Sequence, residues 1–257
     1  MQVVQRNQYF SQAKAILSQI VEKGVQNYFE GFPQTKNCFR IEKRAINCMD
    51  EGTPGGFRVA GSLILLPEKE AQFFVRESSA EGLFSHTDCG AAALAFRKKY
   101  NLKASEQVEL KEIDEFAKAE AKRIAKITDI AYWGHLEKND LQRPLGLHIA
   151  RAAYYLGIPY FDASKNPALP SGFVISRRFL PKDYAQFELK LAIEIALGEH
   201  GFDSLFSQNQ PFLLIIITEK GSREFSNEKL TEEVFEAKKG LPPELSSKIK
   251  IESFLID

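Results

Sequence analysis

Cysteine is scarce: three in 257 residues. An odd and sparse count excludes a disulfide framework and leaves metal ligation or simple burial. Neither sign of charge is in excess, with Lys plus Arg and Asp plus Glu at 34 each. That balance removes any bulk attraction to nucleic acid or to an anionic membrane. Long apolar runs are missing too. The longest, Phe212 to Ile217, falls far short of the roughly 20 residues that span a bilayer. The amino terminus lacks the basic region and apolar core of a signal peptide. The expectation is a cytoplasmic protein with neither nucleic acid nor membrane as partner. There is no Gly-x-Ser-x-Gly elbow, no dinucleotide or Walker glycine loop, and no internal repeat.

What is present is a chain able to bury a core, 44% apolar and 26% charged. Tyr9 to Lys23 carries apolar residues at helical spacing and stops at Gly24, so it reads as a helix. Residues 25–38 read as a loop. Cys38 lies there without ligand spacing to any neighbour and reads as a buried, idle thiol. Phe39 to Asn47, Gly82 to Ser85 and Ile130 to Leu136 read as strands. Helices are expected from Pro67 to about Arg76, over Ala91 to Tyr100, through the charge-rich stretch to Thr128, from Pro144 to about Leu156, and over Tyr184 to Leu197. Pro159 to Asp162, Gly172 to Ser176, Phe212 to Thr218 and Lys248 to Glu252 read as further strands. Strands alternating with helices argue an α/β fold with a mostly parallel sheet flanked by helices. No linker marks a boundary, so a single domain over 1–257 is expected.

Two stretches concentrate the chemistry. Cys48-Met49-Asp50-Glu51-Gly52 ends the first strand. Ser85-His86-Thr87-Asp88-Cys89-Gly90 ends the second and opens a helix. Carboxyl ends of strands are where α/β folds bind ligands. Two thiolates and one imidazole, Cys48, His86 and Cys89, form the Cys₂His set of zinc sites that keep a fourth position open. Cys89 beside a helix amino terminus gains thiolate character from the helix dipole. Asp88 reads as a helix cap or as an acceptor behind the ligands. His135 reads as a structural histidine, with proton shuttling as its alternative role. His148 and His200 fall on expected helices and read as structural.

Cys48-x-Asp50, His86-x-x-Cys89-Gly90 and the intervening Arg58-Val59-Ala60-Gly61 together resemble the signature of β-class carbonic anhydrases. The resemblance covers roughly residues 39–100, the metal-site core. The part from about 145 to 257 diverges. It implies Zn²⁺ held by Cys48, His86 and Cys89, reversible hydration of carbon dioxide to bicarbonate, and a homodimer or higher homo-oligomer. Asp50 would accept a hydrogen bond from the attacking water. In the family an arginine two residues after this Asp holds it away from the metal; here that position is Gly52, and Val59 replaces the usual Asn. Arg58, Arg40 and Arg44 are the nearby replacements, and Arg58 is expected to restrain Asp50, making Asp50 and Arg58 the catalytic pair. If instead Asp50 ligates the metal, the site is closed and the chain is a zinc-stabilised binding or assembly protein. A zinc hydrolase of carbonyl sulfide or carbon disulfide is the remaining alternative.

Overall fold

Short β-branched and aromatic runs punctuated by amphipathic helices build two parallel sheets. A computed structural model describes residues 2–103 and 105–257. The chain forms two compact units, Met1–Arg40 with Gly146–Asp257, and Ile41–Leu145. The sequence points to a single domain over 1–257; within it the contacts group into these two units. Each sheet has its own covering helices, and the chain passes into the second unit and back through short crossings at 40–41 and 145–146.

In chain order, the first unit opens with α1 (Gln2–Gln12), α2 (Lys14–Lys23) and α3 (Val25–Glu30). The second unit holds β1 (Ala45–Asn47), β2 (Phe57–Arg58), α4 (Glu68–Ser78), β3 (Gly82–His86), α5 (Gly90–Lys99), α6 (Leu110–Thr128) and β4 (Ala131–Leu136). The first unit resumes with β5 (Ala152–Leu156), β6 (Gly172–Ile175), α7 (Lys182–Leu197), β7 (Phe212–Glu219), α8 (Asn227–Lys239), α9 (Pro243–Ser246) and β8 (Ile249–Ile256). Among the described residues no helix is long and apolar enough to cross a membrane.

In the second unit the strand order is β2-β1-β3-β4, all parallel. Ala45 lies beside Gly82 and Ile46 beside both Leu83 and Phe57. The carboxyl ends of β1, β2 and β3 therefore emerge on one side. α6 starts at a capping box of Glu109 and Glu112. Its buried stripe of Phe116, Ala117, Ala121, Ile124 and Ala125 follows helical spacing and packs on β3 and β4.

The first unit has order β6-β5-β7-β8, again all parallel. Such a sheet needs cover on both faces. Leu17, Ile20, Val25 and Phe29 of α2 and α3 pack with Tyr154, Leu156, Leu213, Ile215 and Ile217 on one face. Cys38 is fully buried in the same cluster, in keeping with an idle thiol, and burial with the charge of Asp162 pushes it up to about 12. The free edge of β8 is blocked: the Gln26 amide donates to Leu255 O (3.2 Å) and accepts from Leu255 N (2.8 Å), which removes a template for edge pairing.

On the other face Tyr155 donates to Glu233 Oε2 at 2.7 Å, and Arg177 grips both oxygens of Glu233 at 2.7 and 2.9 Å. This ties α8 to β5. Tyr155→Phe is expected to lower stability by about 1.5–3 kcal/mol, the range for a hydrogen bond to a charged group, read as a lower urea midpoint with unchanged slope.

The expected helix from Pro144 to Leu156 is instead a loop followed by β5, which lies between β6 and β7 and is buried along its length. His148 and His200 consequently lie outside helices. The Tyr9–Lys23 helix is broken at Ala13. Only Ala45–Asn47 of the first expected strand pairs, and 159–162 does not form a strand.

Candidate metal centre

β1 and β3 are parallel neighbours, so the residues that leave their carboxyl ends converge. Cys48 follows β1, His86 is the last residue of β3, and Cys89 caps α5. One Sγ from each cysteine and a ring nitrogen of His86 all lie within 4.8 Å of one another, and all three residues are buried. The set can hold a metal ion. His86 Nδ1 bonds to Thr87 O at 2.8 Å. A carbonyl only accepts, so Nδ1 carries a proton and the other nitrogen is free to ligate. That Nε2 is buried and makes no conventional hydrogen bond, while the ring interacts with the Cys48 sulfur, so it sits where a shared cation would be held.

The backbone supports thiolates. Gly61 N–H donates to Cys48 Sγ at 3.2 Å, and Ala92 N–H in the first turn of α5 donates to Cys89 Sγ at 3.4 Å. Gly61 has φ +60, and a Cβ there would sit 2.9 Å from that of Ala91. Ser62 and Leu63 follow, also at positive φ. Gly61 tolerates this backbone, but Ser62 and Leu63 hold it at a cost, and such strain gathers at working sites.

The three groups titrate as a set. A hydrogen bond from Cys89 holds the Cys48 thiol well below its ordinary range, against burial and with help from the His86 charge. Donating that bond, together with burial, pushes Cys89 well above the range and outweighs the Ala92 N–H, so the thiolate character expected at the helix start is not seen in the metal-free set. Burial opposes charge on His86, but the Cys48 thiolate outweighs it and raises the imidazole to about 9. These directions favour a thiolate at Cys48, an imidazolium at His86 and a thiol at Cys89 in the metal-free set. Metal ligation requires two thiolates and a neutral imidazole. Loading is therefore expected to release about two protons, from His86 and Cys89. Calorimetric titration with Zn²⁺ in buffers of different ionisation enthalpy measures that number, and proton release near zero would contradict the ligand set.

Asp50 is buried beside these ligands in sequence and is held by a residue that sequence reasoning missed. Arg143 Nε donates to Asp50 Oδ1 and Oδ2 at 2.8 and 3.0 Å, and Nη2 donates to Oδ2 at 2.7 Å. Its side chain has no solvent exposure. Burial opposes the guanidinium charge, but Asp50, Glu51 and Asp88 outweigh it and hold Arg143 above its ordinary value. The expectation that Arg58 restrains Asp50 is corrected. Arg58 Nη1 donates to the main-chain oxygens of Cys48 (3.0 Å) and Asp50 (3.2 Å) and to the Thr53 hydroxyl, and Nη2 donates to Thr53 O at 2.7 Å. It shapes the loop that presents Cys48 and Asp50. Arg44 donates to Ser78 O and Ser79 O instead, both at 2.7 Å.

Gly52 explains how Arg143 gets in. A Cβ at Gly52 would lie 2.4 Å from Arg143 Cγ and 3.1 Å from Cδ. The arginine side chain runs through the space that any side chain at 52 would fill. Gly52 N–H donates to Asp50 Oδ1 at 2.7 Å and Gly52 O accepts from Gln142 N at 2.8 Å, so the same residue also pins the approach of the 142–143 segment.

Asp88 accepts from Arg143, as its reading as an acceptor behind the ligands anticipated. His135 Nδ1 pairs with Ser85 Oγ at 2.8 Å, and Ser85 Oγ with the Tyr132 hydroxyl at 2.9 Å. Burial, then Lys118, lowers His135 below the usual imidazole value. No protein-family model, curated protein or solved structure matches the chain.

Proposed function

We propose that the chain is a zinc enzyme of the β-carbonic-anhydrase type, hydrating carbon dioxide to bicarbonate. The observation that carries this reading is the Arg143 guanidinium clamped on Asp50, the guanidinium–carboxylate pair that an open site requires, rebuilt from a different chain position. Zinc at Cys48, His86 and Cys89 would supply Lewis acidity that makes water nucleophilic near neutral pH. The chain does the rest. Two N–H donors to the thiolates moderate their charge. Asp50 would accept an O–H from the attacking water, since an ionised carboxylate accepts and cannot donate. Arg58 holds the 48–53 loop so that Cys48 and Asp50 keep their spacing.

Stopped-flow hydration of carbon dioxide across pH on zinc-replete protein tests the reading. Activity that rises with pH and disappears in Cys48→Ser is expected. Full zinc content with no hydration at any pH would reject the enzyme and favour a zinc-stabilised binding or assembly protein. Carbonyl sulfide assayed in parallel separates the hydrolase alternative.

A further inference from the structure

We infer that Asp88 is a positioning residue for this centre: it anchors Arg143 to the metal-holding turn, and through Arg143 keeps Asp50 from becoming a ligand. The inference rests on the open-site reading above and adds the element that makes it mechanically sound. The salt bridge and the Gly52 N–H bond tie Asp50 to Arg143 and to its own loop, and that loop carries the 142–143 segment with it through Gly52 O. The guanidinium needs a third attachment on something that does not move with either. The bond from Arg143 Nη1 to Pro144 O at 2.9 Å is to its own neighbour and travels with it. Asp88 is different. Its carboxylate accepts from Arg143 Nη1 at 2.9 Å and its carbonyl from Nη2 at 3.2 Å.

Asp88 lies between the ligands His86 and Cys89, in a turn fixed from several sides. Thr87 N–H donates to Leu136 O at 3.0 Å. Asp114 of α6 accepts from the Thr87 hydroxyl at 2.5 Å and from Asp88 N–H at 3.2 Å. Asp88 itself holds φ +57, a left-handed conformation that Asp and Asn tolerate better than most residues. One guanidinium thus spans two carboxylates, one beside each half of the ligand set. The turn that carries two of the metal ligands is the support against which Asp50 is held.

Asp88→Asn keeps the side-chain shape and the tolerance for that backbone, and removes the charge. The test uses Co²⁺-loaded protein, whose visible d–d bands report the ligand set, titrated with azide as a probe for an available coordination position. The wild type is expected to respond to azide. In Asp88→Asn, cobalt uptake stays stoichiometric while the apparent azide affinity falls at least about tenfold, the scale of losing a charge-assisted anchor. Asp50→Asn/Asp88→Asn is expected to regain the response, because the competing carboxylate is gone. Equal azide affinity in the wild type and Asp88→Asn overturns the role of Asp88 alone. An Asp88→Asn protein that takes up no cobalt, or a double variant that stays unresponsive, shows a role in folding the turn and also overturns it. A loaded wild type that takes no azide overturns the open-site reading itself.

Discussion

Arg143→Ala is expected to retain bound zinc and to lose carbon dioxide hydration by a factor on the order of 10², the scale of a catalytic group left about an ångström out of place. The reasoning starts from charge. Arg143 is the cation that faces both Asp50 and Asp88 from within the second unit, with its own side chain fully buried. Removing it leaves two carboxylates next to a pair of thiolates. A divalent cation is then the nearest relief, so Asp50 becomes a ligand and the fourth position closes. Metal affinity is expected to rise in the variant while hydration falls, a pairing that general unfolding cannot produce. Breaking one side of a buried ion pair also costs about 3–5 kcal/mol, which is a large share of a domain's stability. The control is Arg143→Ala/Asp50→Asn, in which the stranded charge is removed and much of the stability returns without activity. Retained hydration in zinc-replete Arg143→Ala would show that Asp50 needs no clamp.

The cluster that could hold a metal was legible in the sequence because its spacing is local. Cys48-x-Asp50 and His86-x-x-Cys89 each fall at the end of a strand, and parallel pairing of β1 with β3 brings them together. The helix that Cys89 caps was equally plain from Gly90 and the small residues after it. Arg143 was not legible. It lies 93 residues from Asp50, in a polar stretch before Pro144 with no periodicity of its own. Proximity in sequence favoured Arg58, but a strand residue next to a loop spends its donors on that loop's carbonyls. The available signal was Gly52: an emptied position next to a carboxylate is room for another side chain as much as a loss. The same stretch misled the fold. Pro144 looks like a helix start, and Ala150 to Leu156 is rich in good helix formers. A short apolar run is ambiguous between buried helix and central strand, and its place between β6 and β7 decided the matter. The division into two units was hidden because the crossings are short: Arg40-Ile41-Glu42-Lys43-Arg44 carries charge and Pro144-Leu145-Gly146 carries proline and glycine, but over too few residues to read as linkers.

Gly52→Ala is the smallest change expected to disable the centre. One added methyl would lie 2.4 Å from Arg143 Cγ, closer than carbon atoms approach. The backbone at 52 cannot give way easily, because its N–H is bound to Asp50 and its carbonyl to Gln142 N–H. The arginine must move, and with it the bonds to Asp50 and Asp88. Overpacking of this kind costs about 1–3 kcal/mol, so the protein is expected to stay folded and to bind zinc while hydration falls roughly as far as in Arg143→Ala, on the order of 10²-fold. The relation between the two positions gives a sharper test. In the family that the motifs resemble, position 52 is the arginine. Gly52→Arg alone places two arginines in one space and is expected to be the least stable variant. Gly52→Arg/Arg143→Ala empties the space before filling it, and is expected to recover at least about a tenth of wild-type hydration, a residual deficit of about 1.4 kcal/mol in the barrier. Stopped-flow rates and thermal melts on the two single variants and the double give the coupling energy directly. Strict additivity of the two substitutions would show that Gly52 and Arg143 do not share a site.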